Sequence, residues 1–319
     1  MTEKIEHLDA RIGLDLAGKR LDQALAVLFP DFSRSRLQQW LKEGFVTLDG
    51  RQCKAKDKVV GGELVELEVH LEEQVECAPQ AISLEIVHED SEILVINKPV
   101  GLVVHPAAGN PDGTLQNALL HHSPDLIQLS RAGIVHRLDK ETSGLLVIAK
   151  TPGAHRSLVE QLQARAFKRE YRAVVAGVMT AGGVVDAPIG RHPVHRIKMA
   201  VVNSGKPAMT HYRVLERFRS HTYLKVNLET GRTHQIRVHM AHIRHPLVGD
   251  PLYGGRFKIP AGASPGLIEA LRGYRHQALH ARFLGLEHPK TGEWVEWEVP
   301  IPEDMQTLLQ VMREDMVDG

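Results

Sequence analysis

Apolar residues recur at helical spacing near the start of the chain and then switch to alternation. Leu21, Leu25 and Leu28 fall on one stripe that stops at Pro30. Leu37, Trp40 and Leu41 mark a second stripe, opened by Ser33 as a cap and closed at Gly44. Phe45 to Leu48 then alternates into Asp49-Gly50, a hairpin signal, so the pattern predicts a helix–helix–hairpin unit over 19–60. Further on, Ile93 to Ile96, Leu145 to Ala149, Tyr171 to Val175 and the alternating Leu224, Val226 and Leu228 predict strands. Helical spacing appears at 114–121 with Thr114 as cap, at 153–165 and after Thr233. Strands outnumber helices and do not alternate regularly with them, which fits an α+β fold better than a doubly wound one. The glycine- and proline-rich stretch from Gly254 to Gly266 reads as an exposed insertion.

Length and composition narrow the class. A chain of 319 residues exceeds what one core comfortably serves, so two domains are expected, one of them small. No apolar run approaches the roughly 18 residues of a membrane helix, and no secretion signal is expected. Cys53 and Cys77 lie far apart with no CxxC, which argues against a disulfide framework or a cysteine zinc cluster and for a reducing cytoplasm. Lys plus Arg and Asp plus Glu each total 39, yet the charge is segregated. Residues 33–60 hold seven basic against three acidic residues, and 61–95 hold ten acidic residues with no Lys or Arg. Residues 131–256 hold 21 basic against eight acidic, a surplus of 13. Like charges at that density repel unless an anionic partner offsets them, which points to nucleic acid.

Two segments concentrate polar chemistry. In Gly133-Ile-Val-His-Arg-Leu-Asp-Lys-Glu-Thr-Ser-Gly144, Asp139 lies near Arg137 and Lys140, which favours its ionised form. That suits a nucleophile or electrostatic stabiliser, while the plainer reading is a surface ion-pair loop turned by Thr142 and Ser143. In Glu229 to Ile243, Thr233 is a candidate cap and Ile236, Met240 and Ile243 form a core stripe. Arg237 adjoins that stripe, so its head would be drawn inward and need a carboxylate, Asp139 first among the candidates. His239, His242 and His245 suit capping, packing or RNA-facing roles better than metal binding. Arg34 and Arg36 sit in a first helical turn, where the dipole disfavours cations; they form either a phosphate corner or a pair of solvated side chains. Walker, GxGxxG, GxSxG and zinc-deaminase signatures are missing, which leaves a cofactor-free site of one carboxylate and arginines.

The run His136-Arg-Leu-Asp-Lys-Glu-Thr-Ser-Gly144 resembles the catalytic motif of the ribosomal-type pseudouridine synthases, which isomerise uridine in RNA. INKPVGLVVHP (96–106) and TGRTHQIRVHMAHIRHPLVGDPLYGG (230–255) are similar to the family's other hallmarks, and the N-terminal unit is similar to the S4 RNA-binding domain. Segments 179–193 and 240–251 narrow the resemblance to the D-type branch of the large-subunit ribosomal enzymes. The resemblance implies an α+β catalytic domain with a mixed, mostly antiparallel sheet at 84–319, a linker at 78–83 and an S4-like domain at 18–77. It implies Asp139 as the essential aspartate, Arg137 as the side chain entering where the base leaves, Tyr171 as the ring packed on the flipped uracil, and Arg237 as the partner of the aspartate. Ile236 or Val238 would floor the pocket. Arg34, Arg36, Lys42, Lys54 and Lys56 would hold phosphates in the S4 unit. The implied partner is large-subunit ribosomal RNA or a pre-ribosomal particle, with no cofactor, metal or membrane, and a monomeric chain. Direct attack by the carboxylate on C1′ and removal of the 2′ proton both remain open. Two other readings compete: a catalytically silent RNA-binding or ribosome-assembly factor, and an RNA N-glycosylase.

Overall fold

A computed structural model describes residues 4–30, 32, 34–71, 77–107, 109–195, 197–256 and 258–317, with the side chains of 4–6, 34–36 and 70–71 outside the description. The chain divides into two units, residues 1–76 and 77–319.

The first unit carries β1 (Lys4–Arg11), α1 (Leu21–Leu28), α2 (Arg34–Glu43), β2 (Val46–Leu48), β3 (Arg51–Gln52) and β4 (Leu64–Leu71). Both helical stripes form as their spacing predicts, and Leu21, Leu25, Leu37, Trp40 and Leu41 close on Val46, Val65 and Leu67 as one buried cluster. Ser33, expected to cap α2, lies outside the described residues. The sheet order is β1-β4-β2-β3, with β1 antiparallel to β4 along its whole length. The expected start at residue 18 therefore omits β1. Its sequence, KIEHLDAR, is too polar to read as a strand until β4 is there to pair with it.

The second unit is built on a nine-stranded mixed sheet. Its elements are β5 (Ile86–Glu89), β6 (Ile93–Lys98), α3 (Leu115–His122), β7 (Ser143–Ala149), α4 (Pro152–Gln163), β8 (Lys168–Ala176), β9 (Gly183–Asp186), β10 (Ile189–Arg191), β11 (Met199–Val201), β12 (Met209–Arg217), β13 (His221–Leu228), α5 (Gln235–His242), α6 (Pro265–Gly273), β14 (Leu279–Glu287), β15 (Trp294–Glu298) and α7 (Glu303–Val317). The order is β5-β6-β7-β14-β8-β13-β12-β9, with β15 paired to β14, and β10 and β11 form a separate ribbon. The β7–β14 pairing is parallel, and the other pairings of the sheet are antiparallel. Period-two alternation splits the central strands between two cores. Leu146, Ile148, Tyr171, Ala173 and Val175 face α3 and α5, while Leu145, Val147 and Ala149 face α4. Val174 turns away from that first face to meet α6 and α7. Residues 78–83, expected as a linker, are tied to the domain that follows: Asn117 Nδ2 donates to the Ala78 carbonyl at 2.8 Å and Gln80 Oε1 accepts from Gly113 N–H at 2.8 Å. The expected loop ends sooner than its composition implies. Ser264 accepts from Leu267 N–H, and Pro265-Gly266 form the first turn of α6.

Candidate active site

The loop ahead of β7 is pinned at several points, and each pin fixes Asp139. A turn closes from Thr142 N–H to the Asp139 carbonyl at 3.0 Å, and Thr142 Oγ1 accepts from Gln277 at 3.0 Å. Lys98 is fully buried, and its Nζ donates to the carbonyls of Pro99 (2.7 Å), Leu102 (3.0 Å) and Lys140 (3.0 Å). Burial pushes its pKa down to about 8, and the three carbonyls use every N–H of the ammonium. His136 Nε2 accepts from Val147 N–H at 3.1 Å, and burial, helped by Arg169, holds the ring neutral down to about pH 3. It is a pin, and too weakly basic to carry a proton at neutral pH. Gly144 ends the motif for a steric reason. Its φ is +113°, and a Cβ there would lie 2.2 Å from the Ala281 carbonyl oxygen of the parallel neighbour β14.

Asp139 meets Arg237 as the inward-drawn guanidinium requires, but the pair is part of a trio. Arg237 Nη1 donates to Asp139 Oδ2 at 2.9 Å, while Nε and Nη2 form a fork on Asp250 at 2.7 and 2.9 Å. The Asp250 side chain is completely buried and also accepts from the N–H groups of Leu252 and Tyr253. Burial pushes Asp250 up, but Arg237 and these N–H groups outweigh it and hold the carboxyl below its usual range. One guanidinium thus faces two carboxylates, and of the two only Asp139, with its side chain 16% exposed, reaches the surface. His234 Nε2 lies 3.9 Å from Asp139 Oδ1.

A cavity of about 560 Å³ opens in front of it. Arg131, Arg137, Arg165, Arg169, Arg232 and Arg237 line it against two carboxylates, Asp139 and Glu229. Such a wall attracts polyanions. Tyr171, 6% exposed, contributes its ring from β8, and burial pushes its phenol further from ionisation. Arg137 is exposed at the rim. Ile236 lines the cavity, whereas Val238 does not. Two residues along α5 is about 200° of rotation, so Val238 packs instead with Ile189 and Ala208 on the far side. His239 is buried between Thr210 and the Ala187 carbonyl, and His245 bonds the Ala176 carbonyl, so both serve packing. In the first unit Lys42, Lys54 and Lys56 are exposed, and the side chains of Arg34 and Arg36 lie outside the described residues.

Asp250, Lys98, His234 and Tyr253 escaped the sequence reading. A signal for Asp250 existed: a buried guanidinium has five donors, more than one half-exposed carboxylate can satisfy. The expected cap of α5, Thr233, is displaced by His234, which holds the cap position in left-handed backbone (φ 57°) with its ring turned away to Tyr253.

A family model described as RNA pseudouridylate synthase matches residues 92–242, and an S4 domain model matches 19–65. The chain is 60% identical over 306 residues to ribosomal large subunit pseudouridine synthase D of Pseudomonas aeruginosa, covering 96% of each chain. It is 57% identical over 316 residues to the proteins of that name from Yersinia pestis and Escherichia coli K12, covering 99% of this chain and 97% of each of those. Among solved structures it is similar to human RNA pseudouridylate synthase domain containing 4, with TM-score 0.56, 27% identity, and coverage of 72% of this chain and 93% of that one. The site and the sheet that carries it are those of an RNA-modifying class, and the chain belongs to the RNA pseudouridylate synthase family. Within it, the similarity that runs nearly end to end is to the ribosomal large subunit pseudouridine synthase D proteins.

Proposed function

We propose that the protein isomerises specific uridines to pseudouridine in a stem-loop of 23S ribosomal RNA during ribosome assembly. Its likeness to proteins named for the large ribosomal subunit supports the substrate. One observation carries the chemistry: Asp139 has Oδ2 tied to Arg237 while its side chain lines an arginine-lined cavity. The reaction breaks N1–C1′, turns the base and joins C5 to C1′, so it conserves every atom and one carboxylate suffices. Asp139 acts at C1′ or on the 2′ proton. The base must first leave its stack, at a cost of a few kcal/mol, and the ring of Tyr171 offsets part of this by packing on the uracil. Arg137, exposed at the rim, is suited to enter the helix behind the departing base. Glu229, the other carboxylate lining the cavity, accepts from His211 at 2.6 Å, which disfavours the opposed acid and base of a hydrolytic glycosidase.

Arg34, Arg36, Lys42, Lys54 and Lys56 hold phosphates from the S4 unit, on free ribosomal RNA or on a pre-ribosomal particle. The reading needs no second chain, since Asp139, Tyr171 and Arg237 come from one. Cys53 and Cys77 are free thiols, as suits the reducing cytoplasm where ribosomes are made. Incubating the protein with RNA bearing 5-tritiated uridine tests the reading. Tritium released to water with an intact chain is the expected result; free uracil would mark a glycosylase, and neither product a binding protein.

A further inference from the structure

Isomerisation leaves a proton to be moved. Once C5 has joined C1′, C5 still carries its hydrogen and the ring holds a C6=N1 double bond. The C–H pair must become C5=C6, the C6=N1 pair must become the new N1–H bond, and a base must accept the proton between them. Resting on the isomerase reading, we propose that His234 is that base: its Nε2 takes the C5 proton and returns it to N1, a catalytic role distinct from that of Asp139. Direct attack on C1′ and removal of the 2′ proton converge on the same C5-linked intermediate, so the inference holds for both.

The geometry supplies the base and its position. His234 lines the cavity, with its side chain 19% exposed and Nε2 3.9 Å from Asp139 Oδ1. That oxygen is the one Arg237 leaves free, so a ribose seated on it brings the base attached at C1′ against the imidazole. On the other side, Nδ1 is 2.8 Å from the Tyr253 hydroxyl oxygen, which also accepts from Met199 N–H at 2.8 Å. A phenol oxygen has two lone pairs, one for Met199 and one for an Nδ1–H. In the tautomer the proposal assigns, Nδ1 donates to Tyr253 and Nε2 presents its lone pair to the cavity. The groups facing it are Asp139, Arg137, Arg237 and Asp250, and burial with the two arginines keeps the resting ring neutral. After taking the proton, the imidazolium lies beside the Asp139 carboxylate released by the chemistry. Tyr171 is less suited to the task, since burial holds its phenol protonated. The backbone at His234 is left-handed, at φ 57° and ψ 22°, a conformation costly for a side chain with a Cβ. The fold bears that cost where it aims this ring.

The test follows the C5 hydrogen under single-turnover conditions, using full-length protein and a large-subunit RNA transcript carrying 5-deuterated or ordinary uridine. In His234→Gln, pseudouridine formation should slow about 100-fold, with RNA affinity and melting temperature unchanged, and a primary deuterium isotope effect should emerge that wild type lacks. In His234→Ala, added imidazole should restore rate. Tyr253→Phe keeps the imidazole but removes its Nδ1 partner, and should show a smaller loss with the same isotope signature. Unchanged rates would overturn the proposal; so would a loss without isotope effect or imidazole rescue, which would make His234 only a prop for Asp139. If instead the wild-type protein makes no pseudouridine, the isomerase reading itself has failed.

Discussion

Arg237 divides one guanidinium between two carboxylates, and that division governs what its substitution does. Arg237→Met takes the guanidinium from both the buried Asp250 and Asp139, at a cost of about 3–5 kcal/mol. Arg237→Lys has one point charge where a fork is needed, so it should recover only part of this. Urea midpoints and single-turnover rates should rank wild type above Lys above Met, and a fully active Met variant would reduce Arg237 to a bystander. At Tyr171, Phe keeps the stacking face and should hold the flipped base nearly as well, while Ala should weaken its capture; equal trapping by Ala and wild type, read from a fluorescent base at the target position, would remove Tyr171 from the site. Asp139 and Arg237 stood out because each belongs to a short run with abrupt local chemistry, while Tyr171 and Ile236 entered only through the family resemblance; the structure places all four on the cavity. The need for a second acceptor beside Arg237 was readable, but not its identity as Asp250, which reaches Arg237 from 13 residues away through a loop whose path no periodicity encodes. Val238 was separable from Ile236 by helical geometry alone.

At the scale of elements, β7 shows how a motif and a fold share residues. Its seven residues are all buried, as a continuous apolar run covered on both faces should be. Gly144→Ala should destabilise the second unit by several kcal/mol, on the order of the worst backbone clashes. Thermal melts would check it, and a shift below about 1 kcal/mol would mean β14 yields more easily than its register suggests. Thr114 and Asn117 cap α3 reciprocally, so Thr114→Ala should cost about 1 kcal/mol in the same assay. Strands with strong alternation and helices with marked caps were readable. α6 and α7 were not, because Leu267, Leu271, Leu308 and Met312 gain meaning as a stripe only against Val174 and Phe218 on the back of the sheet.

At the scale of the whole molecule, two behaviours follow. Burial holds His136 at about 3 and His221 and His280 at about 4, all below the ordinary histidine value of about 6.5. The folded state therefore excludes protons the unfolded chain binds. Its stability is complete above about pH 6.5 and falls by about 1 kcal/mol per pH unit for each such ring as pH drops toward about 4. Urea titrations at pH 7.5 and 5 should show the loss, and His221→Gln should blunt it. The division at residue 76 gives the second behaviour. A truncated protein beginning at Cys77 has its own cores and should fold and bind RNA more weakly. Its log–log salt slope should be shallower by about 0.7 to 0.9 for each phosphate that the S4 unit no longer neutralises. An unchanged slope would mean that the S4 unit does not touch the RNA.

The central claim is that one carboxylate, held by Arg237 at Oδ2 and lining the cavity, performs the chemistry. Asp139→Asn changes a single oxygen for an amide while leaving Asp250 to anchor the guanidinium, so the fold and RNA affinity should be retained. Pseudouridine in the target stem-loop, quantified by mass spectrometry after prolonged incubation with excess variant, should stay at the level of the enzyme-free control. Appreciable pseudouridine from the pure Asp139→Asn protein would contradict the account.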